Sequence, residues 1–206
     1  MSEHTASLAL QLPLVVFMWQ LIGAGTAFRP VPGQRGLSFL AQLISLAFVG
    51  VLFPHQPELL SVWRAAIATI GLIGSLVLFE WAQRTIRGRH FSYIFSADTP
   101  AFLCTDGPYA YIRNPFYSSY LLAMISTAIM MPTPIRGAIV LAMIGYFTAA
   151  AVWEERKFAR SAVATEYARY KRRTGRFLPK VFATEGTENI GHGDHGDLSH
   201  KGHEEH

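Results

Sequence analysis

Two polar clusters interrupt a chain in which half the residues are apolar. The first is the run Gly107-Pro108-Tyr109-Ala110-Tyr111-Ile112-Arg113-Asn114-Pro115-Phe116-Tyr117. Gly107-Pro108 predicts a turn, and Pro115, which lacks an N–H, suits the first turn of a helix. A helix beginning there leaves its N-terminal amides unpaired, an arrangement that attracts anions. Arg113 precedes it and adds a guanidinium fork that fits a carboxylate. The plainer alternative is a juxtamembrane turn in which Arg113 only anchors topology. The second cluster is Glu154-Glu155, at the end of an apolar run. Adjacent carboxylates are costly against lipid. They therefore read either as a solvated helix end or as a site for a cationic amino or sulfonium group. Together the two clusters offer a cation for a carboxylate and an anion for an ammonium.

The elements that must position these residues are membrane helices. The chain has 206 residues, of which 16% are charged, against about 25% in soluble domains, and its mean hydropathy is +0.23. About 20 apolar residues cross the hydrocarbon core as a helix, and five stretches approach that length: Leu8–Phe28, Leu37–Phe53, Val62–Trp81, Phe116–Met131 and Ile135–Trp153. Pro54 and Pro57 make the turn between the second and third, Pro132 and Pro134 that between the last two. The leader before the first holds Glu3 and His4 but no Lys or Arg, so it reads as a span rather than a cleaved signal. With the N-terminus outside, sixteen of the eighteen Lys and Arg residues fall inside, and only Arg64 and Arg136 outside. The positive-inside rule then predicts an all-α multi-pass protein with about five spans, N-out and C-in, in the cell inner membrane.

Three further segments follow from this map. Gln83–Asn114 is too long for a simple turn, and its aromatic residues (Phe91, Tyr93, Phe95, Phe102, Tyr109, Tyr111) suit an interfacial cover. Glu154–Thr174 reads as a helix leaving the membrane, with Lys and Arg near its C-terminal end and Gly175 and Pro179 stopping it. From Ala183 the Gly-, Asp- and His-rich composition predicts a disordered tail. Its five histidines would bind metal weakly at most, and no metal site is expected. Glu80 and Arg84 form an i,i+4 pair, and Gly71 and Gly74 read as helix-packing residues. Cys104, the single cysteine, excludes an intramolecular disulfide. No basic stripe interleaved with aromatics points to nucleic acid.

The two clusters in register resemble the isoprenylcysteine carboxyl methyltransferase family and its phospholipid methyltransferase relatives. The first matches Gly-x-Tyr-x-x-x-Arg-His/Asn-Pro-x-Tyr from Gly107 to Tyr117. The second is Glu154-Glu155 and Phe158, then Glu166, Tyr167 and Tyr170, then Arg172, Arg173 and Pro179. The likeness covers about Val62–Pro179. It implies a membrane-embedded methyltransferase using S-adenosylmethionine, which presents both an ammonium and a carboxylate. It implies cofactor contacts at Leu103, Cys104, Tyr109, Asn114, Pro115, Tyr117, Glu154 and Tyr167. Glu155 and Arg113 are the expected catalytic residues, with Glu155 or a tyrosine the candidate base for an amine acceptor.

The acceptor implied is a lipid or lipidated molecule reaching the site from the bilayer: an isoprenylcysteine-type carboxylate or a phospholipid amine. Asn114 stands where isoprenylcysteine enzymes often have His, Ala101 replaces another His, and Ala150 replaces an Arg that holds the substrate carboxylate. These departures favour the amine. Two alternatives remain at this level: a small soluble acceptor such as a thiol, and a non-catalytic carrier or metal-handling scaffold using the tail. The expected organisation is an N-terminal helix pair over 1–58, a methyltransferase core over 59–182 and the tail over 183–206.

Overall fold

The computed structural model describes residues 3–27, 61–87 and 103–180. The second expected span, the aromatic residues at 91–102 and the His-rich tail lie outside the described residues. Within them the chain is all-helical. The helices are α1 (Glu3–Ala27), α2 (Val62–Ile86), α3 (Pro115–Met130), α4 (Pro134–Phe158) and α5 (Ala164–Arg173), with a 3-10 turn over Gly107–Ala110.

The helix boundaries follow local chemistry. Pro115 and Pro134 open α3 and α4, where a missing N–H costs nothing. Thr133 caps α4 through its side-chain oxygen, which accepts from the Arg136 amide at 3.3 Å. Arg136, which the positive-inside reading places on the outer side, stands at the start of this helix. It is buried in the first turn of α4, and its guanidinium donates to the carbonyl of Met131 at 2.5 Å, closing the end of α3.

α2 and α4 are long and apolar enough to cross a membrane, and only 28% and 33% of their apolar windows is buried. The core helix of a soluble protein is mostly buried. Here Trp63, Ile67, Ile70, Ile73 and Val77 of α2 all face outward. An apolar outer face of this extent fits lipid and not water. α3 and the described apolar stretch of α1 are shorter.

α3 lies along α2, and Gly71 permits the close approach: a Cβ there would run into the Ser126 hydroxyl. Small residues at a seam let backbones meet where lipid removes the hydrophobic drive between helices. A polar chain crosses the same region. Gln20 Nε2 of α1 donates to Ser75 Oγ of α2 at 2.7 Å, and Ser75 Oγ donates to the Ser119 carbonyl of α3 at 2.8 Å. All three residues are buried, so the chain specifies how α1, α2 and α3 stand together.

The predicted single helix over Glu154–Thr174 is two helices. α4 ends at Phe158 and α5 begins at Ala164. Ser161 accounts for the break: its hydroxyl donates to the Phe158 carbonyl at 2.8 Å and accepts from the Val163 amide at 3.3 Å. A serine bonding its own backbone offers an alternative to the helical ladder. The break turns α5 back, so that Tyr167 and Tyr170 are buried and Arg169, Arg172 and Arg173 are exposed.

Candidate functional site

The loop Leu103–Asn114 is seated on the C-terminal end of α2. Gly107 has φ +56°, the left-handed region that glycine adopts most freely, and a side chain there would meet Thr85. Cys104 and Tyr109 pack with Phe79, Ala82, Ile86 and Phe116 in one buried cluster. Leu103 is partly buried beside them in sequence. Phe79 and Phe116 meet edge to face at 5.4 Å, which ties the start of α3 to α2.

The C-terminal segment then arrives across the loop. Residues 174–177 run beside 111–114 as a short parallel strap, with a bridge between Ile112 and Gly175. Gly175 N–H donates to Tyr111 O at 3.1 Å, Arg113 N–H to Gly175 O at 2.8 Å, and Asn114 N–H to Arg176 O at 3.2 Å. The Asn114 side-chain amide donates to the same carbonyl at 3.3 Å, and Ser118 Oγ to Phe177 O at 2.7 Å. The Arg113 and Asn114 amides, just before the first turn of α3, are thereby taken by strap carbonyls. The sequence concealed this because the donors and acceptors lie about sixty positions apart.

Glu155 is the electrostatic centre of the strap. It is buried and faces three cations: Arg113 at 3.1 Å, Arg176 at 2.9 Å and Lys171 at 3.3 Å. Arg176 grips both carboxylate oxygens, at 2.9 and 3.1 Å. Hydrogen bonding to Glu155 pushes the Arg176 guanidinium above its ordinary range. Arg113 also donates to the carbonyls of Lys171 and Thr174, so one side chain ties α4, α5 and the strap together. Arg113 and Glu155, expected as catalytic, are thus brought into contact with each other. Lys171 and Arg176 were not expected there, and the basic run closing on Pro179 was their only signal.

Glu154, one residue earlier, has a different environment. Its Oε1 accepts from the Tyr117 hydroxyl at 3.0 Å. Tyr117 is buried and stacks on Phe147 of α4 at 5.1 Å, and Tyr120 lies 5.9 Å from the same ring. A carboxylate beside aromatic faces suits an organic cation. Phe147 was missed because apolar residues in a span carry no functional signal.

The other expected residues surround these. Asn114 and Pro115 begin α3. Tyr167 stacks on Phe158 at 4.8 Å. Burial pushes its phenol pKa up, with the nearby Glu155 charge adding to the shift. The Tyr170 hydroxyl donates to the Tyr109 carbonyl at 2.7 Å, and burial also raises its pKa. α5 thereby holds the loop from behind.

The family model of phospholipid methyltransferases matches residues 63–162, from the start of α2 to the turn after α4. Across that stretch the chain is similar to phospholipid methyltransferases. No curated protein and no solved structure matches the chain. The matched segment contains the loop, Tyr117, Phe147, Glu154 and Glu155, and ends before α5 and the strap. The phospholipid methyltransferase signal therefore covers the two polar clusters but not Lys171 and Arg176. This likeness to a membrane methyltransferase family agrees with the two long apolar helices and their exposed faces.

Proposed function

We propose that this protein is a membrane-embedded, S-adenosylmethionine-dependent methyltransferase acting on a hydrophobic acceptor drawn from the bilayer. The observation that carries the proposal is the Tyr117–Glu154 pair, 3.0 Å apart, set among aromatic rings inside the segment that matches phospholipid methyltransferases. Bound there, S-adenosylmethionine supplies a methyl group activated on a cationic sulfonium. The donor set fits such a ligand: Glu154 offers a carboxylate to its positive charge, and Tyr117 with Phe147 offers ring faces. Leu103, Cys104, Tyr109, Asn114, Pro115 and Tyr167 complete the proposed binding surface.

The protein's work in an in-line methyl transfer is orientation and exclusion of water. Tyr117 fixes the Glu154 carboxylate, and the strap closes the loop over the start of α3. Arg113 and Glu155 act in this reading as positioning residues. A carboxylate engaged by three cations balances them and is poorly placed to accept a substrate proton. Ala150, where a substrate-carboxylate arginine would stand, favours an amine acceptor of the phospholipid type. The full architecture in this reading is five spans, N-out and C-in in the cell inner membrane. The core is 59–182, and α5 and the strap lie on the cytoplasmic side.

Calorimetric titration of S-adenosylmethionine and S-adenosylhomocysteine into the protein in lipid nanodiscs tests the proposal. One saturable site is expected, weakened at least tenfold by Glu154→Gln and about fivefold by Tyr117→Phe, the worth of about one hydrogen bond. No binding by the unaltered protein would overturn the methyltransferase reading. Unchanged binding in both variants would remove Glu154 and Tyr117 from the site.

A further inference from the structure

Positive charge gathers on the outer side of α5, away from the Glu155 cluster. Residues 156–180 contain nine Lys and Arg against one acidic residue, Glu166. Glu155 faces Lys171 and Arg176 as well as Arg113, so it balances only part of this excess. Arg169, Arg172 and Arg173 are exposed and lie three and four positions apart on one face of α5, with Tyr167 and Tyr170 buried on the other. Lys180 folds back onto the end of the same helix, where its ammonium donates to the carbonyls of Lys171 and Arg172. Leu178, between Arg176 and Lys180, is 76% exposed.

The end of α4 fixes the height of this face. Trp153 points partly outward there, and the Lys157 ammonium lies 3.8 Å from the centre of its ring. A tryptophan beneath a lysine at the end of an apolar span marks the headgroup level of a bilayer. α4 runs on only to Phe158, a rise of about 7.5 Å at 1.5 Å per residue. Tyr167 stacks on that same Phe158, so α5 is held beside the last turn of α4 instead of projecting into water. Its arginines therefore stand close to lipid phosphates, on the scale of the Debye length of roughly 8 Å at physiological salt.

We infer that the exposed face of α5, with Leu178 as an apolar foot, docks on an anionic lipid surface and gathers lipids of net negative, amine-free headgroup, of which phosphatidylglycerol is the type. This rests on the membrane reading above but not on the methyl-transfer chemistry. Charge complementarity selects the occupant: a Lys or Arg near an anionic surface strengthens attachment about fivefold, and the guanidinium fork matches a phosphate. A zwitterionic headgroup has no net charge to offer, so the face is distinct from the acceptor site proposed above. It selects the surroundings and not the substrate. A soluble polyanion would meet the same arginines, but the level of Trp153 and the exposed Leu178 belong to a bilayer surface. Docking braces from outside the helix whose Tyr170 holds the Tyr109 carbonyl from inside.

Native mass spectrometry of the full chain, ejected from nanodiscs of equimolar dioleoyl phosphatidylglycerol and dioleoyl phosphatidylcholine, tests the inference by counting retained lipids. Phosphatidylglycerol should be enriched at least fivefold over its bulk ratio. Changing Arg169→Gln, Arg172→Gln and Arg173→Gln together should bring the ratio to within about twofold of bulk. The matching triple Arg→Lys variant keeps the charge and should keep most of the enrichment. Circular dichroism reports the folding of each variant. A bulk ratio around the unaltered protein overturns the inference. So does enrichment that survives the glutamine changes, or that the lysine changes abolish equally. Enrichment around a protein that binds no S-adenosylmethionine upholds the lipid-docking face while overturning the methyltransferase reading; S-adenosylmethionine binding without enrichment does the reverse.

Discussion

Replacing Glu155 by Ala is expected to be among the most destabilising single changes in the described part of the chain. The cations around it differ in exposure, and this sets the magnitude. The Arg113 side chain is 8% exposed, as is that of Glu155, whereas Arg176 is 32% and Lys171 51% exposed. Removing the carboxylate leaves Arg113 as a buried, uncompensated charge, and breaking such a pair costs about 3–5 kcal/mol. Truncating Arg113 to Ala should cost a similar amount. Truncating Lys171 should cost under about 1 kcal/mol, because an exposed pair is screened by water. Arg176→Ala should fall between, at about 1–2 kcal/mol, since its two hydrogen bonds are formed in a half-buried position. Reversible unfolding in mixed micelles, followed by circular dichroism, measures these differences. A double-mutant cycle on Arg113 and Glu155 should give a coupling of about 0.5–3 kcal/mol. Hydrogen exchange should show the amides of Arg113 and Asn114 losing protection first, since their acceptors lie in the strap. A cost below about 1 kcal/mol for Glu155→Ala, or equal costs for Lys171→Ala and Arg113→Ala, would refute the reasoning from burial.

Gly107→Ala should cost about 1–2 kcal/mol in the same assay, since a side chain is forced into the left-handed region and against Thr85. An unchanged unfolding midpoint would argue that the turn relaxes freely. Gly71→Ala should separate α2 from α3 and destabilise the protein, and adding Ser126→Gly should restore part of the loss. Strictly additive effects would show that the two positions do not meet. Alkaline pH should destabilise the fold. Burial raises the phenol pKa values of Tyr109, Tyr167 and Tyr170 above the ordinary 10.0. The unfolded chain therefore loses protons first, and stability that is complete below pH 10 falls as pH rises beyond it. Tyrosinate absorbance should show these phenols ionising only with unfolding; their titration in the folded protein near pH 10 would contradict this.

Much of the helical frame was legible in the sequence because it depends on local properties. Apolar run length located α2, α3 and α4 to within a few residues at most boundaries, and Pro115 and Pro134 marked where two of them start. α2 runs on to Ile86, past the Trp81 at which its apolar run ends, because Gln83 and Arg84 are good helix formers even where they are poor membrane residues. The two polar clusters in register likewise resemble methyltransferases of membranes, and that likeness implied cofactor contacts at both Tyr117 and Glu154.

Tertiary structure alone decided what the neighbouring glutamates do. On a helix, consecutive residues point about 100° apart, so Glu154 turns toward Tyr117 and Glu155 toward Arg113, Lys171 and Arg176. No local property distinguishes the two, since they are the same residue type at adjacent positions. The break at Ser161 folds α5 back and delivers the strap onto the loop, a pairing across about sixty residues that no periodicity encodes. The sequence by itself determined which segments are helical and which residues are chemically capable. The return of α5 decided which carboxylate is balanced by cations and which stands among aromatic rings, because charge pairing depends on distance in space and not along the chain.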